Sequence, residues 1–242
     1  MTAAAALTGC LTNRGFHGGK KRSRPNILLL YADDLGIGDL VTYNPDSKIP
    51  TPHLDRLASK GVRFTDAHAS CTVCTPSRYA LLTGRYHWRD LDTDMVDSFG
   101  KSIIRKDRLT LPEMLKAAGY RTGAIGKWHL GWDWDALRKS DENGNRLKGN
   151  HFDVFDWDKS IPDGPLAHGF DYYFGDDVIN FPPYCWIEND KVVNVPDMMM
   201  DWKKWKPVKE GSWECRSGTM ASDWNPYQDL PTLTQKGINF IK

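Results

Sequence analysis

A cysteine ahead of a helical run, a lysine and a histidine two residues apart, and two adjacent aspartates are the groups in this sequence best suited to chemistry. Cys74 opens the run Cys74-Thr75-Pro76-Ser77-Arg78-Tyr79-Ala80-Leu81-Leu82-Thr83-Gly84. A group at a helix start lies near unpaired backbone N–H donors and the positive end of the helix dipole, where an anion is favoured. Two plainer readings compete. One is a buried structural cysteine. The other is a redox pair in Cys71-x-x-Cys74, which the Pro-Ser-Arg that follows disfavours. Lys127 and His129 end the run Gly119-Tyr120-Arg121-Thr122-Gly123-Ala124-Ile125-Gly126-Lys127-Trp128-His129. If that segment is extended they point the same way; taken alone they read as ordinary surface. Asp33 and Asp34 suit a hard cation with oxygen ligands, Ca²⁺ or Mg²⁺. In a regular strand they would face opposite sides, so both reach one metal only if the chain turns, which Gly36 and Gly38 permit. Alone, such a pair reads as a solvated turn. Gly36-Ile37-Gly38 lacks the third glycine of a dinucleotide fingerprint.

The elements that position these groups follow from patterning. Ile27-Leu28-Leu29-Leu30-Tyr31 reads as a strand buried on both faces, ending at Asp33. Thr51-Pro52 opens a helix that Gly61 closes, with Leu54, Leu57 and Ala58 on one face. Val62 to Thr65 reads as a short strand and Ser77 to Thr83 as a helix. Thr110 and Glu113 form a capping box for a helix carrying Leu111, Met114, Leu115 and Ala118, closed by Gly119. Thr122 to Gly126 reads as another buried strand. Residues 131 to 231 read as long loops and short elements over the site, and 232 to 241 as a helix using Leu233, Ile238 and Ile241. Strands alternating with helices predict an α/β fold with a largely parallel central sheet flanked by helices.

Composition excludes several classes. The 242 residues are 40% hydrophobic and 26% charged, with net charge +1. That suits a globular chain with a real core and argues against a basic nucleic-acid binder. No apolar run reaches 18 residues, so no transmembrane helix is expected. Five cysteines are too few for a disulfide scaffold, and the sequence leaves open whether Cys185 and Cys215 pair. Ten tryptophans, mostly after residue 128, either pack a loop-rich region or cover apolar sugar faces. Residues 1 to 24 read as a leader or flexible tether. Leu7-Thr8-Gly9-Cys10 resembles a bacterial lipobox, which predicts export to the periplasm or a lipid anchor on Cys10. The missing basic segment and short apolar stretch count against it; the alternative is a disordered leader on a cytoplasmic protein.

The Cys74 and Gly119–His129 runs together resemble the two signatures of the type I, formylglycine-dependent sulfatases, arylsulfatase-like members of the alkaline phosphatase superfamily. The resemblance covers residues 25 to 242 as the N-terminal part of a catalytic domain, about the first half of a typical member. It implies that a maturation enzyme oxidises Cys74 to formylglycine, whose hydrate offers two geminal hydroxyls. It implies that Asp33, Asp34 and position 74 bind Ca²⁺ or Mg²⁺, and that Arg78 holds the formylglycine and the ligand shell. Lys127 would bind a sulfate oxygen. His129 would contact formylglycine and act as base in the elimination step. His53 stands where the family usually has Asn, so it reads as structural. His168 to Gly175 also resembles a family segment, and Asp176, Asp177, Asn180, Tyr184 and Trp186 are candidate substrate contacts. The family's later Asp, Asn, His and Lys find no match, so the site is expected to be incomplete. The implied reaction is hydrolysis of a sulfate ester to an alcohol and sulfate, on sulfated carbohydrates or aryl sulfates. The alternatives are a phosphonate or phosphate monoester hydrolase of the same superfamily, and a sulfate-binding fragment without turnover.

Overall fold

The computed structural model describes residues 24–91, 95–201, 203 and 215–242. The leader with its lipobox-like Cys10 lies outside them. The chain divides into two units, residues 1–63 and 64–242.

In the first unit, Ile27 to Tyr31 forms no strand. The run is extended, joins no ladder, and its side chains are 42 to 67% exposed. The expected buried strand is therefore not observed. An apolar run becomes a strand only when a neighbouring strand forms a ladder with it, and no such ladder is present among the described residues. The chain does turn at the aspartates. Asp34 itself takes the left-handed conformation, at φ 54°, which aspartate tolerates better than most residues. Gly36 and Gly38 are not at positive φ. Helix α1 (Pro52–Lys60) starts at Pro52 as expected. Thr51 does not cap it; its hydroxyl takes the Val41 N–H at 3.2 Å. Asp55 takes the Thr42 N–H at 3.0 Å, tying the helix to the preceding loop. Leu57 is 63% exposed, so the expected apolar face is not buried within this unit. Val62 to Thr65 is not a strand.

The second unit holds helices α2 (Cys74–Thr83), α3 (Leu111–Ala117) and α4 (Asp229–Ile241). A four-stranded sheet runs in the order β1 (Gly123–Ile125), β2 (Tyr172–Gly175), β3 (Ile187–Glu188), β4 (Lys191–Val192), and β5 (Met198–Met200) pairs separately with β6 (Gly218–Met220). The class is α/β as expected. The sheet, however, is mixed. β1 and β2 are parallel, with Gly123 opposite Tyr172, whereas β2–β3 and β3–β4 are antiparallel. The Thr110–Glu113 capping box forms, with the Thr110 N–H on Glu113 Oε2 at 2.8 Å. Asp171 joins the β1 and β2 segments. The Lys116 ammonium and the N–H and hydroxyl of Thr122 hold its carboxyl down at a pKa of about 2.

Tryptophan builds the core. Trp128, Trp132, Trp134, Trp157 and Trp224 are 1 to 7% exposed and pack with Tyr79, Tyr173, Phe155 and Leu130. For these residues packing prevails over sugar contact. Helix α4 crosses β1 and β2: Phe240 stacks on Tyr172 at 5.6 Å, and Lys236 reaches Glu188 at 3.0 Å. Gly123 makes this approach feasible, because a Cβ there would stand 2.5 Å from the Phe240 ring. No helix among the described residues is long and apolar enough to cross a membrane.

The first turn of α4 carries a buried carboxyl pair. Asp176, just past β2, is 2% exposed, and Asp229, the first residue of α4, is 7% exposed. As two carboxylates, Asp176 Oδ2 and Asp229 Oδ1 have no donor, yet the groups lie within hydrogen-bonding reach of each other. One proton satisfies both. Burial raises both pKa values, Asp229 to about 6 and Asp176 well above the carboxylate range, so Asp176 holds the proton. A group whose folded pKa lies above its unfolded value of about 4 stabilises the fold fully below that pH and loses the contribution as pH rises through 6. Asp229→Asn should therefore gain about 2 kcal/mol on the wild type between pH 4 and pH 6. Denaturant unfolding at the two pH values checks this; an offset equal at both would refute the raised pKa of Asp229.

Candidate active site

Cys74 is the first residue of α2. Pro76 sits in the first turn, where its missing N–H leaves no helical bond unmade. The N-cap, Val73, has no side-chain oxygen to offer, so no side chain caps the first turn. Gly84 closes the helix at φ 66°. The buried Tyr79 gives its hydroxyl to Asp90 Oδ2 at 3.0 Å, and Arg108 meets the same carboxylate at 3.1 Å. Burial works to raise the Asp90 pKa, but Tyr79, Arg108 and Arg85 outweigh it and hold the carboxyl below its ordinary range.

Two side chains of this helix grip the Lys127–His129 segment. Thr75, fully buried, donates to the His129 carbonyl at 3.1 Å and accepts the Val96 N–H at 3.3 Å. Arg78 donates from Nη1 to the Lys127 carbonyl at 2.6 Å. Lys127 and His129 are not on an extended stretch, as alternation would have had it. Gly126 has φ 108° and His129 φ 55°, so the chain turns directly after β1. The left-handed conformation costs a non-glycine residue about 1–2 kcal/mol, and such strain persists only where the surroundings impose it. Here the His129 N–H goes to Asp177 Oδ1 at 3.0 Å and the Trp128 N–H to the Asp177 carbonyl at 2.9 Å. The Tyr173 hydroxyl donates to the Gly126 carbonyl at 3.1 Å and accepts the Asp177 N–H at 3.3 Å.

The His129 ring is 2% exposed and lies edge-on to Phe181, with centroids 5.5 Å apart. Its Nε2 is 2.9 Å from the Val96 carbonyl, which only accepts, so Nε2 carries the proton and Nδ1 is the basic nitrogen. Arg78 and Lys127 both lie near the Asp177 carboxylate. Burial raises the Asp177 pKa, against the His129 N–H and these two cations.

The candidate substrate contacts sort differently from expectation. Asp176 is committed to Asp229. Tyr184 is 1% exposed, its hydroxyl bonded to the Asn180 and Arg216 carbonyls, and Trp186 stacks on Phe174. Asp177 emerges as the support of the Lys127–His129 turn, a role its residue type alone did not reveal. Its place two residues after the glycine that ends β2 was the available signal. Cys185 and Cys215 are free thiols, as are Cys71 and Cys74.

Asp33 and Asp34 lie in the other unit, both exposed. Calcium takes six to eight oxygens. Among the described residues no three His, Cys, Asp or Glu side chains gather to hold a metal.

The fold and site define an α/β protein that sets a cysteine at a helix start against a Lys–His turn. Comparison with known proteins adds the family. The sulfatase family model matches residues 25–231. An N-acetylgalactosamine-6-O-sulfatase of Bacteroides thetaiotaomicron is 49% identical over 127 residues, 52% of this chain and 25% of that protein. Arylsulfatase H of Canis lupus familiaris is 41% identical over 162 residues, 64% of this chain and 25% of that protein. A structure from a study of the metabolism of multiple glycosaminoglycans by Bacteroides thetaiotaomicron aligns with TM-score 0.69 and 31% identity, covering 90% of this chain and 48% of that one. The chain belongs to the sulfatase family, a family of sulfuric ester hydrolases. It spans about a quarter of the length of these curated relatives.

If the Asp177 carboxylate holds the turn, Asp177→Ala should speed amide exchange at His129 by on the order of tenfold, the value of one hydrogen bond to a charged acceptor, and change Trp128 less, whose N–H keeps the Asp177 carbonyl. Helix α2 should be unaffected. Hydrogen-exchange NMR checks this; unchanged exchange at His129 would show the turn to be held by other contacts.

Proposed function

We propose that this protein hydrolyses sulfate esters, with Cys74 matured to formylglycine as the nucleophile and sulfated carbohydrates as the favoured substrates. The observation that carries the reading is the Cys-Thr-Pro-Ser-Arg run at the start of α2, joined through Thr75 and Arg78 to the Lys127–His129 turn. A hydrated aldehyde at position 74 would supply one hydroxyl to attack sulfur and a second whose deprotonation expels sulfate. The chain's own residues do the rest. First-turn N–H groups and the Lys127 ammonium hold the anionic ester and stabilise charge that builds on its oxygens. His129, with Nε2 fixed on Val96, receives the hydroxyl proton at Nδ1. Arg78 keeps Lys127 in register with the helix. Ca²⁺ or Mg²⁺ at Asp33 and Asp34 belongs to the proposal through the resemblance alone. The sugar preference is supported by the relative named for N-acetylgalactosamine-6-O-sulfate chemistry and by the glycosaminoglycan context of the structural neighbour.

The test is turnover of 4-nitrophenyl sulfate by protein co-expressed with a formylglycine-generating enzyme, with mass spectrometry of the peptide containing residue 74. Hydrolysis should vanish in Cys74→Ala, and kcat should fall about 10²–10³-fold in Lys127→Ala. Faster turnover of aryl phosphonates than of the sulfate would assign the phosphonate reaction instead. No turnover with formylglycine present would leave a sulfate-binding fragment.

A further inference from the structure

A cavity of about 370 Å³ opens beside the candidate site, lined among others by Asp97, Asn150, His151, Pro182, Met199 and Arg216. That volume is within the range of small-ligand sites. Two of its walls lead to His129. Asp97 follows Val96, whose carbonyl accepts from His129 Nε2. Arg216 lies over the Phe181 ring, 3.8 Å from its centroid, and the His129 ring meets that same phenyl edge-on.

The walls are built. The Arg216 N–H donates to the Asn180 carbonyl at 3.2 Å and to the Tyr184 hydroxyl at 3.0 Å, and the Tyr184 hydroxyl donates back to the Arg216 carbonyl at 2.6 Å. Arg216 Nη1 binds Asp97 at 2.5 Å, while Nε and Nη2 have no partner among the described residues. Asn150 accepts Arg138 on Oδ1 at 3.1 Å, which leaves its amide N–H₂ to donate. His151 uses Nδ1 on Asp153 at 2.6 Å, which leaves Nε2. A half-engaged guanidinium beside neutral donors, an acceptor and the apolar edges of Pro182 and Met199 matches an anionic sugar. The fork binds a planar or tetrahedral oxyanion, and the other groups take ring hydroxyls.

Resting on the sulfated-carbohydrate reading, we propose that Arg216 heads a second anion subsite for the carboxylate or sulfate of the sugar next to the one carrying the reacting ester. The site thereby selects acidic glycans over neutral ones.

Titration calorimetry on the full chain carrying Cys74→Ala tests this, because nothing turns over. The ligands are sulfated N-acetylhexosamine disaccharides whose second sugar is a uronic acid, a neutral hexose, or a hexose with its own sulfate. The acidic pair should bind at least tenfold more tightly than the neutral one. Arg216→Gln should remove that advantage, a loss on the order of 10- to 100-fold for a charge-assisted contact, and leave neutral binding within about twofold. Asp97→Asn should strengthen acidic binding by freeing the fork, whereas a purely structural Asp97–Arg216 pair would weaken it. The two acidic arms tell carboxylate from sulfate. Equal affinity for acidic and neutral ligands, or equal losses in Arg216→Gln, would overturn the subsite. If the matured protein then still hydrolyses 4-nitrophenyl sulfate, the sulfatase reading stands without the subsite; discrimination by Arg216 without turnover would leave the subsite and remove the hydrolase.

Discussion

Thr75 and Arg78 reach 54 and 49 residues along the chain to the carbonyls of His129 and Lys127, and the site depends on these two bonds. A helix start can attract an anion by itself, and a lysine and a histidine can bind and move protons by themselves. Neither does chemistry on one ester unless both are held in one frame. Side-chain-to-carbonyl bonds do this well, since they fix the backbone without engaging the Lys127 ammonium or the His129 ring. The Thr75 hydroxyl serves twice, as donor to His129 and acceptor from Val96. Because Val96 also receives His129 Nε2, the ring's tautomer is set by the same corner that sets its backbone.

The turn that bears Lys127 and His129 is strained, and its support comes from just past the end of the neighbouring strand β2. Asp177, past β2, satisfies two of its N–H groups, and Tyr173 links Gly126 to Asp177. The parallel β1–β2 ladder is therefore more than scaffold. It brings a carboxylate to the backbone that the histidine's left-handed conformation would otherwise expose. Directly beside this carboxylate, Asp176 faces inward to Asp229 and anchors α4. Adjacent aspartates thus do opposite work: one stays with the cations of the site, and the other is kept dry and shares a proton.

The aromatic content has a similar division. Five of the tryptophans fill the interior, where their area supplies the burial that short strands and long loops do not. Phe181 instead stands between the His129 ring and the Arg216 guanidinium, and Arg216 is one wall of the neighbouring cavity.

What the sequence determined by itself was local. The Thr110–Glu113 box, the α1 start at Pro52 and the helix near the end of the chain depend on neighbours within a few residues, and each formed. The signature around Cys74 was legible because it requires particular residue types at fixed spacing. Tertiary structure decided the rest. Ile27 to Tyr31 reads as a buried strand, but a strand's partners are remote in sequence, and among the described residues the run joins no ladder. Lys127–His129 is a turn because Asp177, about fifty residues on, stabilises a conformation that local propensity disfavours. Which aspartate would be buried and which exposed to the cations, and which tryptophans would pack rather than face a sugar, likewise followed from contacts across the sheet. Residue type limits what a side chain is able to do; only its three-dimensional neighbours select one of those roles.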